Sequence, residues 1–138
     1  MSVNKVQVYW HRYGRVLVQR FSGSVSYLSL ANAINKIECN ITGLQGHLLP
    51  NVIIDMTNRS PDMDMSIFTF ADLRRLLPHD AQVPCGMNVI IVDRDPGYAP
   101  IQRLAAMLHT LGYAVLVTET FEQAIDEVEL NNDAAAAG

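Results

Sequence analysis

The sequence predicts an α/β fold, a single domain built on a mixed sheet. Two observations predict it. First, Val52-Ile53-Ile54 and Val89-Ile90-Ile91-Val92 are short apolar runs that end in aspartates, Asp55 and Asp93, and each is followed by a loop and a helix-like segment. Strands of a parallel sheet, buried on both faces, read this way, and function gathers at their carboxyl ends. Second, the chain opens with two alternating segments around Tyr13-Gly14, the pattern of an antiparallel hairpin.

The bulk numbers bound the molecule. A chain of 138 residues, 49% hydrophobic and 17% charged, suits one domain with one sizeable core. We read 1–130 as that domain and 131–138 as a flexible tail. A net charge of −4, with Arg74-Arg75 the only adjacent cations, makes no electrostatic case for nucleic acid. The start, MSVNKVQVYWHR, has no long apolar stretch of the signal-peptide kind. No apolar run is long enough to span a bilayer. A cytoplasmic protein is expected. Cys39 and Cys85 have no CxxC spacing, which leaves free thiols or a single disulfide open.

Val6, Val8 and Trp10 alternate with Gln7 and Tyr9, giving the first strand. Val16 to Phe21 returns as the second, and Gly23 is expected to end it. Ser26 is placed to cap a helix whose face is Leu30, Ile34 and Ile37. Asn40 to Pro50 reads as a loop and Val52 to Asp55 as the third strand. Met56 to Ser66, polar and interrupted by Pro61, reads as a second loop. A helix with Phe68, Ala71 and Leu76 on its core face follows and stops at Pro78.

Met87 to Val92 is the fourth strand, and Asp93-Arg94-Asp95-Pro96-Gly97 is a turn cluster. Pro100 fits a first helical turn, with Ile101, Leu104, Leu108 and Leu111 facing the core and Gly112 closing the helix. Tyr113 to Val117 is the fifth strand. Thr120 and Gln123 have capping-box spacing and open the last helix, with Phe121, Ala124, Ile125 and Val128 inward. The predicted order is β-β-α-β-α-β-α-β-α.

Five carboxylates, Asp55, Asp62, Asp64, Asp93 and Asp95, follow strands or begin helices. Gathered at one sheet edge they suit a hard cation; separately they cap helices and satisfy loop amides, and capping is the reading we adopt. No metal and no cofactor are expected. Thr57, Ser60 and Ser66 supply hydroxyls, but no Gly-x-Ser-x-Gly elbow accompanies them, and His11, His47, His79 and His109 lack metal spacing. No catalytic residue is therefore assigned. The first strand has no strong gatekeeper at its edge, so pairing with a second copy is a reasonable expectation.

The element order and two local words resemble the STAS domain, the fold of anti-sigma-factor antagonists, and its SpoIIAA-like relatives, over residues 6–129. The words are VIIDMTNRSPDMDMSIFTFADL and the closing ETFEQAIDEV. In that family a strand leads to an Asp-Ser-Ser-Gly word whose serine is phosphorylated. The resemblance places Asp64 at the aspartate and Ser66 at the phosphorylated serine. Met65 and Ile67 stand where the family has serine and glycine. It implies a non-enzymatic regulatory domain that binds another protein or a small ligand, with Asp55, Thr57, Ser60, Asp64 and Ser66 as partner or switch residues. A second resemblance competes. NVIIVDRDPGYAPIQRLAAMLHTLGYAVLVTETFEQAIDEV is similar to the opening of a response-regulator receiver domain. It implies a Mg²⁺-dependent phosphoryl acceptor using Asp93, Asp95 and Asp55.

Overall fold

The computed structural model describes residues 5–11, 16–26, 51–64, 88–110 and 112–137. They form an α/β arrangement with a five-stranded mixed sheet. The strands are β1 (Lys5–His11), β2 (Val16–Ser26), β3 (Asn51–Asp64), β4 (Asn88–Val92) and β5 (Ala114–Thr118). The described helices are α1 (Ala99–Thr110) and α2 (Phe121–Ala137). The helices expected after the second and third strands lie outside the described residues, as do Cys39, His47, Ser66, His79 and Cys85.

The sheet runs β1-β2-β3-β4-β5, in chain order. β1 pairs antiparallel with β2, as the hairpin pattern predicts, and every later pairing is parallel. This order explains the apolar runs. β2, β3 and β4 have a neighbour on each side and a layer on each face, so Val16 to Val18, Val52 to Ile54 and Val89 to Val92 are all buried. Alternate side chains divide between two cores. Leu17, Val52, Ile54, Val89 and Ile91 meet Ile101, Leu104 and Leu108 of α1 on one face. Val16, Val18, Ile53, Ile90 and Val92 meet Ala124 and Val128 of α2 on the other. The period-2 alternation of the strands thus meets the helical spacing of each helix.

The helix signals behave as their chemistry requires. Gly112 adopts a φ of 107°, which residues other than glycine rarely take; its N–H donates to His109 O, and the Tyr113 N–H donates to Leu108 O. That pair of bonds is a Schellman closure, which needs a left-handed residue at this place. At α2, the Gln123 N–H donates to Thr120 Oγ1 while Gln123 Oε1 accepts from the Thr120 N–H, a reciprocal capping box.

Three expectations change. Gly23 does not end the second strand. It adopts a φ of 77° and lies between two register shifts, and β2 continues to Ser26. A glycine-permitted bulge bends the strand without stopping it. Ser26 pairs with Asp64 at the strand's end, and the helix it is expected to cap lies outside the described residues. Met56 to Asp64 is not a loop, because β3 runs on through it alongside β2. Pro61 is tolerated there because this stretch has β2 on one side and, beyond Asp55, no pairing with β4. The residues expected as a tail from Asn131 continue α2 as far as Ala137, in keeping with the high helix propensity of an alanine run. No described helix is long and apolar enough to cross a membrane.

Candidate functional site

The carboxyl ends of the parallel strands form the candidate site. Asp55 closes the apolar run of β3, in register with Arg20 on β2 and Val92 on β4. It is buried and satisfied from two directions. Arg20 Nε donates to Oδ2 at 3.1 Å. The Thr57 N–H and Oγ1 both donate to Oδ1, at 3.0 and 2.7 Å. The Arg20 guanidinium also lies 5.8 Å from the Tyr9 ring centroid and 5.7 Å from that of Phe121, the first residue of α2. Its side chain keeps 33% of its exposure. Here a partly wet cation is held among two aromatic rings and a buried anion.

Asp93, one residue beyond β4, is fully buried. Its N–H donates to Thr118 O at 3.0 Å, carrying the β4–β5 ladder past the strand end. Its carboxylate takes a two-pronged contact from Arg59: Nε to Oδ1 at 2.7 Å and Nη2 to Oδ2 at 2.9 Å. Side-chain exposures of 5% and 0% make this a buried ion pair. The Asp95 N–H adds a bond to Oδ2 at 3.0 Å. Arg59 spends its remaining nitrogen on its own strand, Nη1 donating to the Ser60 and Pro61 carbonyls at 3.0 and 2.9 Å. The Tyr98 ring lies 4.6 Å from the guanidinium carbon. The hydrogen bond to Asp93 holds the Arg59 guanidinium above its ordinary pKa, and burial, which acts the other way, is outweighed.

The residues expected to act together are placed as follows. Asp55 and Thr57 are in direct contact. Ser60 joins the neighbouring network through its backbone carbonyl. Asp64 is the last residue of β3, opposite Ser26. Ser66 lies outside the described residues. Asp55 and Asp93 end neighbouring strands, but each holds its own arginine, and Asp95 is exposed. Among the described residues no group of three or more His, Cys, Asp or Glu side chains is placed to hold a metal ion.

Sequence reasoning did not assign roles to Arg20, Arg59 or Tyr98. A signal existed. Two aspartates that each close a buried strand need charged partners, because a buried carboxylate without one is very costly. Arg20 continues the buried run of the second strand and Arg59 stands shortly after the apolar run of the third. No protein-family model matches this chain, and no curated protein matches it.

Proposed function

We propose that this chain is a non-enzymatic, STAS-like regulatory domain that acts by binding another protein or a small ligand. Its recognition element is the end of β3 and the segment after it, Asp55 through Phe68. One observation carries the reading. β4 pairs with β3 only as far as Asp55, while β3 continues to Asp64 beside β2. The resemblance puts its switch serine at Ser66, two residues further along the chain. The leading hairpin followed by parallel strands in chain order also supports it.

The carboxylates favour contact over chemistry. Asp55 and Asp93 are engaged by guanidinium groups, which suits structural anchors better than proton carriers. The receiver-like alternative would require Asp93 to give up both of its contacts with Arg59 before binding Mg²⁺. A cytoplasmic setting goes with the regulatory reading, and a homodimer through the edge of β1 is its companion.

Intact-mass measurement of the protein from its own host, under native and denaturing conditions, tests the proposal. Phosphate mapped to Ser66, and a co-purifying partner that distinguishes Ser66→Asp from Ser66→Ala, is the expected result. Equal binding by the two variants removes the switch. Phosphate on Asp55, lost in Asp55→Asn, transfers the reading to the receiver-like alternative.

A further inference from the structure

Beyond Asp55, β3 leaves the five-stranded sheet and continues as an overhang, residues 56–64. On one side it pairs with β2, and that pairing shifts register twice, between Arg20 and Ser22 and between Gly23 and Val25. From Gly23 onward, past the last β1 pairing at Ser22, it is a two-stranded parallel ribbon, which has little stability of its own. Apolar burial holds only its first residue, Met56, which lies in the core; among residues 57–61 only Arg59 is buried.

On the other side the contacts converge on Arg59. Its guanidinium grips both oxygens of Asp93 and takes the Ser60 and Pro61 carbonyls, while the Tyr98 ring lies against it. Arg94 Nη2 reaches back to Arg59 O at 3.3 Å. One side chain therefore fixes the overhang to the turn between β4 and α1 and also shapes the overhang itself.

We propose that Arg59 is a latch, with Asp93 as its catch, and that the overhang opens as a unit when the latch is released while the sheet stays folded. Few apolar contacts and one concentrated polar anchor are what a locally opening unit requires. A buried ion pair suits a two-position element, because it is strong when complete and poor when either partner is removed. Opening would uncover the Asp93 carboxylate and displace the chain leading to Ser66. The second consequence rests on the proposed function; the latch itself does not.

Hydrogen exchange read by mass spectrometry tests this on the full chain. Peptides covering 56–64 are compared with peptides covering 51–55 and 88–92, in the wild type, Asp93→Asn and Arg59→Lys. The latch predicts that both variants speed exchange of 56–64 by about tenfold or more, and that 56–64 remains less protected than 51–55 and 88–92, which exchange only on global unfolding. Unchanged exchange of 56–64 in the variants, or protection of 56–64 equal to that of the other two segments, overturns it. Should the variants not fold, the wild type is followed across low urea concentrations. Exchange of 56–64 that is insensitive to urea, beside a urea-sensitive core, supports local opening. Exchange of all segments with the same urea dependence overturns it.

Discussion

Arg59 and Asp93 illustrate what a charge does inside a protein. Both are desolvated, and their attraction repays that cost only because every contact is well made. Asp93→Asn keeps the shape but removes the anion, leaving the guanidinium buried without its counter-charge. A loss of ~3–5 kcal/mol is expected for Asp93→Asn or Arg59→Met. The double variant Arg59→Met/Asp93→Leu should be less destabilised than the sum of its parts, because no orphaned charge remains. Urea unfolding of the four proteins measures this, and strict additivity would mean that the two residues do not act as a pair. The raised pKa of Arg59 adds a second expectation. A cation whose folded pKa is raised contributes its stability below the unfolded pKa and loses it only as pH rises through the folded one. For an arginine that window is strongly alkaline, so deprotonation of Arg59 should cost no stability between about pH 7 and 9. A protection factor for 56–64 that falls across this interval, once intrinsic exchange is corrected for, would mean that another group controls the overhang.

At the scale of elements, the caps are the most local part of the design and were readable from sequence. Gly112 closes α1 at a φ of 107°, where a Cβ is crowded, and Gly112→Ala should cost about 1 kcal/mol or more. Thr120→Ala removes the acceptor for the Gln123 N–H and should cost about 1 kcal/mol. Thermal unfolding of each variant checks the pair; a midpoint unchanged by Thr120→Ala would show that the box adds little to α2. The apolar runs of β3 and β4 were equally legible, because burial on both faces writes itself as continuous Val and Ile. The continuation of β3 was not. Thr57, Asn58, Ser60 and Pro61 carry no apolar alternation, and what orders them is remote: a bulged β2 and an aspartate 34 positions from Arg59. The aspartates announced the site, but their partners were hidden, since sequence spacing cannot say which cation reaches which carboxylate. Gly23 misled for a related reason, because a glycine that ends a strand and one that bends it look alike until the partner strand is known.

For the whole molecule, the strand order leaves β1 and β5 as the outer strands, and their exposures differ in kind from those of the interior. On β1, Val6 packs against the core shared with α1, but Val8 and Trp10 stay 37% and 45% exposed. The alternation of the first strand therefore marks a surface as well as a core. Beside them runs an outer edge that, among the described residues, has no strand partner. Such an edge invites another strand, and an antiparallel partner would bring its own apolar residues against these. A second copy of β1 is self-complementary in this sense: with Val8 at the twofold axis, Val6 of each copy faces Trp10 of the other. The homodimer proposed above then has a definite consequence. Trp10→Lys places a charge on the pairing strand and removes the largest apolar side chain there, so it should convert dimer to monomer at micromolar concentration while the folded core is kept, because Trp10 lies outside it. Sedimentation velocity on both proteins decides the matter. A wild type that is already monomeric removes the dimer, and a dimer untouched by Trp10→Lys moves its interface away from β1.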